Sequence, residues 1–209
     1  MQTGHPKFWL ILRITLATIL FCVAYNRPVF SQSSPDGPYD LYLPLLSKPY
    51  SPLPEIENGD FELGDNGDWT VYSSGEYLLI MDDVALMPLT PRSGSWLAWM
   101  GGVPDEDSRI SQAVNLPSGG PAYLRYYYQI VSDKSMCNAD WMYFQVGATA
   151  LQSRGLCTAE NTADWIADSV DLSAYAGQTI TITFQVTTDS NDVDMSSFFI
   201  DDVSLARAP

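Results

Sequence analysis

The sequence predicts an all-β domain over residues 55–209, an antiparallel β-sandwich (jelly roll), preceded by an export signal at 1–31 and a proline-rich linker at 32–54. Three observations carry this. Apolar and polar residues alternate with period two in segments 122–131, 142–147 and 180–187, the pattern of strands with one buried face. Turn-forming clusters separate the apolar runs, at 64–68, 117–121 and 176–178. From Glu55 onward no 3.6-residue apolar period extends beyond two turns.

The elements follow in chain order. Lys7 and Arg13 give 1–31 a basic start, and 14–25 is an uncharged run of signal length. Val29-Phe30-Ser31 offers small residues at a cleavage point, and Cys22-Val23-Ala24 offers another. The alternative is an uncleaved anchor over 8–25, in which Arg13 would cost about 2.5–3.5 kcal/mol at the bilayer centre. Six prolines in the 23 residues of 32–54 exclude helix and central strand, so this stretch reads as an extended linker. Its apolar segment 41–46 is expected to dock weakly as an edge strand or to act as a sticky stalk. Weaker strand signals lie at 69–72, 77–81, 95–100 and 109–116, and a last strand at 197–205.

Charge and histidine content narrow the function. Acids outnumber bases 25 to 10, and no basic stripe is present, which excludes nucleic acid as a partner. Loss of 1–31 would remove Lys7, Arg13 and Arg27 and no acid, moving the net charge from −15 to −18. It would also remove His5, the only histidine. A chain without histidine builds no Ser-His-Asp or Cys-His site and no His-ligated zinc. Carboxylate chemistry of the glycosidase kind is the enzymatic route left, and no catalytic fingerprint supports it. Cys137 and Cys157 then remain as the only cysteines, and in an exported chain they are expected to pair. The expected location is secreted or cell-surface, with no membrane insertion beyond the signal segment.

Three motifs carry a resemblance. They are Asn58-Gly59-Asp60-Phe61-Glu62 followed by Trp69, then Trp165 with Asp171-Leu172-Ser173-Ala174-Tyr175-Ala176-Gly177-Gln178-Thr179-Ile180, and Phe199-Ile200-Asp201-Asp202-Val203-Ser204-Leu205. Together they resemble the secreted bacterial jelly-roll modules: carbohydrate-binding modules, the C-terminal domain of immune inhibitor A peptidases and MAM-like adhesion domains. The resemblance implies a structural calcium between the first and last strands, with Glu62 and Asp202 as principal ligands and Asp60 and Asp201 beside them. Calcium takes six to eight hard oxygens, which suits these acids. Asp60 and Glu62, two apart on one strand, would share a face, and a bulge would turn one of Asp201 and Asp202 inward.

If the three clearest strands are neighbours, their polar sides place Arg125, Tyr127, Gln129, Tyr143, Gln145 and Gln185 on one face. Aromatic planes suit the C–H faces of sugars, and amide and guanidinium groups suit their hydroxyls. In the resembled modules such a face binds polysaccharide. Trp141 is a further candidate platform, exposed on a loop, while Trp69, Trp96, Trp99 and Trp165 are expected to fill the core. The function this supports is a non-catalytic binding module for a glycan or cell-surface polysaccharide. The alternative is a cell-surface domain that meets a protein partner, and a carboxylate glycosidase ranks last.

Overall fold

A computed structural model describes residues 50–82, 88–191 and 193–209. The export signal, most of the linker and its 41–46 segment lie outside the described residues. Among the described residues ten strands form: β1 Thr70–Ser73, β2 Ile80–Met81, β3 Leu97–Gly101, β4 Asp107–Asn115, β5 Tyr123–Ser132, β6 Asp140–Val146, β7 Thr149–Leu156, β8 Ile166–Asp171, β9 Thr179–Thr187 and β10 Ser196–Ala206. They pair antiparallel into two five-stranded sheets, ordered β1-β4-β9-β6-β7 and β2-β3-β10-β5-β8. The all-β sandwich read from the sequence is the fold observed.

Alternation explains the layering. Along β4, Ser108, Ile110, Gln112 and Val114 are buried, while Arg109, Ala113 and Asn115 face out. β9 buries Ile180, Ile182, Phe184 and Val186, and β6 buries Met142, Phe144 and Val146. From the second sheet come Leu124, Tyr126, Tyr128, Phe198 and Ile200. The aromatic rings interlock: Tyr126 meets Phe184 edge-on at 4.9 Å, Phe144 meets Phe184 at 5.0 Å, and Tyr128 stacks on Phe198 at 5.6 Å. Each such pair contributes about 0.5–1.5 kcal/mol beyond area burial.

Two strands, β7 and β8, have no signal in the sequence. Both are sheet edges, and Thr149-Ala150-Leu151-Gln152-Ser153 and Ile166-Ala167-Asp168-Ser169 lack strict alternation because their sides are only half covered. Polar side chains close the gap between these edges. The Tyr126 hydroxyl donates to Gln152 Oε1 at 2.8 Å, and Arg154 Nη2 donates to Asp168 Oδ2 at 3.2 Å.

Two expectations are corrected. The 58–64 segment is a run of turns rather than a strand. Asn58 and Phe61 adopt left-handed φ of 48° and 59°, and the Asn58 side chain holds the turns by bonding Gly64 O and Leu63 N–H. Of the four tryptophans expected in the core, Trp69 is buried there, with Nε1 donating to Asn58 O at 3.0 Å. Trp96 packs half-buried at the core's margin, whereas Trp99 and Trp165 cover Leu97 and Phe199 in a separate cluster on the outside of the second sheet. Leu89 packs on that face, and the Thr90 carbonyl accepts from Trp165 Nε1 at 3.1 Å.

Candidate functional site

The outer face of the first sheet carries the most ordered polar and aromatic array. Strand register sets it. Tyr143 on β6 stands opposite Gln185 on β9, Gln185 opposite Arg109 on β4, and Arg109 opposite Tyr72 on β1. The next row is Gln145, Thr183, Ser111 and Thr70. Tyr72 and Tyr143 are thus three strand spacings apart, about 14 Å at about 4.8 Å per strand. Beside Tyr72, and reaching Gly147 and Ala148 of the β6–β7 turn, is an open cleft of about 600 Å³, lined by Tyr72, Arg109, Ser111, Gln145, Thr183 and Gln185 among others.

The floor of the cleft is internally bonded. Gln145 Nε2 donates to Gln185 Oε1 at 2.8 Å, and Gln185 Nε2 donates to Asp107 Oδ1 at 2.8 Å. Arg109 forks onto Asp107, with Nε to Oδ1 at 3.0 Å and Nη2 to Oδ2, and its guanidinium lies 5.3 Å from the Tyr72 ring centre. On the far side Trp141 and Tyr143, two apart on β6, lie nearly parallel at 6.2 Å and 20°. Trp141 is therefore a strand residue of the face, not a loop residue. Its neighbour across the pair to β7 is Gly155, where a Cβ would overlap the Cys137 carbonyl. The segment bearing Cys137, bonded to Cys157 as expected, consequently borders the platform.

Glu106 positions the other end. Its carboxylate is buried and accepts from Ser73 Oγ, Ser74 Oγ, the Gly75 N–H and Ser108 Oγ at 2.6–3.0 Å. Burial pushes this carboxyl up, but the four donors outweigh burial and hold it below the ordinary glutamate range. It fastens β1, and with it Tyr72, to β4. No motif announces Glu106 or Arg109. Their only sequence signal is placement in an alternating strand and the turn before it.

The structure divides the expected ligand residues. Tyr143, Gln145, Gln185 and Trp141 come together, because β6 and β9 are neighbours. Arg125, Tyr127 and Gln129 do not join them, because β5 belongs to the other sheet. There they are engaged within the protein. Arg125 donates to the Pro209 carbonyl, Tyr127 lies 3.5 Å beneath the Arg92 guanidinium, and Gln129 Nε2 contacts Thr162 O at 3.5 Å.

The acids named as metal ligands also divide. Asp60, Glu62 and Asp202 line one open cavity of about 750 Å³ with Arg92 and Tyr127. A bulge in β10 between Asp201 and Ser204 puts Asp202 there with left-handed φ of 49°. Glu62 Oε1 accepts from the N–H groups of Ser95 at 2.7 Å and Trp96 at 2.8 Å. Asp202 accepts from Ser93 Oγ at 2.9 Å and pairs with Arg92. Asp201 is buried against the same 92–93 segment, accepting from the N–H groups of Arg92, Ser93 and Asp202 at 2.7–3.1 Å, and does not line the cavity. Burial pushes its carboxyl up to about 7 against those three bonds. Among the described residues no three Asp, Glu, His or Cys side chains converge as a metal cluster, and no helix is long and apolar enough to cross a membrane.

The two-sheet β-sandwich has counterparts among solved structures. One similar solved structure is TmCBM61 in complex with β-1,4-galactotriose, at 18% identity, over 73% of this chain and 97% of that one, with a TM-score of 0.53. Another is a cleaved adhesin domain of Lys-gingipain from Porphyromonas gingivalis, at 13% identity, over 76% of this chain and 100% of that one, with a TM-score of 0.51. At these identities the likeness is one of fold. No family model matches the chain, and no curated protein matches it in sequence.

Proposed function

We propose that the outer face of the β1-β4-β9-β6-β7 sheet binds a glycan without chemically altering it. The carrying observation is the near-parallel Trp141–Tyr143 pair on the same sheet face as Tyr72, with a hydrogen-bonded polar row between them. Sugar rings would lay their C–H faces on Trp141 and Tyr143 and turn their hydroxyls to Gln145, Thr183, Ser111 and the free N–H groups of Arg109. The Gln145–Gln185–Asp107 chain fixes the amide orientations before a ligand arrives, which lowers the ordering cost of binding. A β-sandwich neighbour that holds a galactotriose and another that is an adhesin domain support a recognition role. The test is a glycan array probed with the purified chain and with a Trp141→Ala, Tyr143→Ala variant. Binding that the variant loses supports the reading, and an array silent for the parent chain refutes it.

We also propose that Asp60, Glu62 and Asp202 hold a structural calcium. The three side chains offer only oxygens and line one cavity, which supports the reading, but they do not converge as they stand, so an ion would have to draw them together. Arg92 is the internal competitor, since it already neutralises Asp202. A bound calcium would tie the 58–64 turns to the β10 bulge. Calcium titration followed by melting temperature tests this, and an unchanged melting temperature removes the proposal.

A further inference from the structure

We infer that Asp107 sets the ligand class of the outer face, admitting neutral glycans and turning away anionic ones. This rests on the glycan reading above and narrows it.

Among the described outward side chains of β1, β4, β9 and β6, Arg109 is the one cation and Asp107 the one anion. The two are joined through both carboxylate oxygens. Stability gives little reason for this pair. Arg109 is 46% exposed and Asp107 30%, and ion pairs so exposed contribute about 0–1 kcal/mol. The pair does, however, change what the face offers a ligand. Guanidinium is a natural fork for a carboxylate or sulfate, and here the fork is already filled. Of five N–H donors, the two on Asp107 leave three for neutral hydroxyl oxygens.

Asp107 is held so that it cannot easily swing aside. Its Oδ1 also accepts from Gln185 Nε2 at 2.8 Å, and its backbone N–H donates to Ser74 Oγ at 2.9 Å. An anionic sugar at Arg109 would therefore meet a fixed carboxylate of like charge, within a chain of net charge −15. Excluding the wrong ligand by a fixed repulsive group is how specificity is commonly built.

The experiment uses oligosaccharides of β-1,4-galactan, β-1,4-glucan and β-1,4-mannan, each in its neutral form and oxidised at C6 to the uronate. Affinities are compared for the parent chain, Asp107→Asn and Arg109→Gln. Asn keeps the shape and an oxygen for Gln185 and Arg109, so folding is retained and verified by melting temperature. The parent should bind at least one neutral chain and prefer it over its oxidised partner about tenfold or more. Asp107→Asn should shrink that preference by about tenfold, a modest change in charge–charge energy. The gain should fade at high salt, and Arg109→Gln should not show it. Equal binding of both forms by the parent, or an unchanged ratio in Asp107→Asn, overturns the inference while leaving glycan binding intact. Silence toward all six chains overturns this inference, whereas the glycan reading falls only if the array is silent too.

Discussion

Removing the aromatic platform should abolish ligand capture and leave the fold standing. The perturbation is Trp141→Ala with Tyr143→Ala. Both rings lie on the outer face but are half-buried, so the folded domain loses their mutual stack at 6.2 Å, about 0.5–1.5 kcal/mol, and part of their packing against the sheet besides. For a domain of this size that lowers the melting temperature by roughly 2–5 °C. The cost in binding is larger. A sugar ring on one aromatic plane removes about 100 Å² of apolar surface from water on the two partners together, ~2.5 kcal/mol at about 25 cal/mol/Å². That corresponds to about 70-fold in affinity for one ring. Calorimetric titration with the best array ligand, beside a melting curve, measures both. Tyr127→Ala is the matched control, because Tyr127 lies under Arg92 on the other sheet. It should retain affinity. If Tyr127→Ala loses binding and the β6 variant keeps it, the assignment of the face is wrong.

Four further outcomes are expected. Phe184→Ala, which removes the ring touching both Tyr126 and Phe144, should cost about 3–5 kcal/mol in denaturant unfolding. Glu106→Gln should cost about 2–3 kcal/mol. Because the Glu106 carboxyl is held below its ordinary range, its contribution is complete above the unfolded value of about 4.3 and disappears as pH falls through the folded one. The parent's melting temperature should therefore drop on the acid side, and the same slope in Glu106→Gln would contradict this. Thiol titration of the purified chain should find Cys137 and Cys157 unreactive, and opening their 20-residue loop should cost about 3 kcal/mol in chemical unfolding. Removing divalent cations with EDTA should lower the melting temperature of the parent but not of Glu62→Ala, and equal shifts in both would detach Glu62 from calcium.

Much of the architecture is legible in the chain because burial imposes period two. The inward residues of β5, β6 and β9 are apolar except Ser132 and Asp140 at strand ends, their outward residues are mostly polar or aromatic, and each of these strands is visible in the sequence. What alternation does not encode is which strands are partners. β5 and β6 are consecutive, yet the connection between them crosses from one sheet to the other. That single crossover separates Tyr127 from Tyr143 and breaks the expected face in two. The edge strands β7 and β8 are silent for a related reason, since a half-covered strand needs no strict pattern. Adjacent acids on a plain strand point apart, so the pair Asp201-Asp202 announces a bulge, and with that bulge both carboxylates bond the 92–93 segment. Glu106 and Asp107 carry no motif, and their roles appear only once β1, β4 and β9 are brought into register.

Affinity of the purified chain for a broad glycan array, measured in parallel with Trp141→Ala, Tyr143→Ala, tests the central claim most directly. The parent should capture one or more sugar chains and the variant none, with both proteins folded. Capture that survives loss of both rings, or a parent that turns over a sugar substrate, would contradict it.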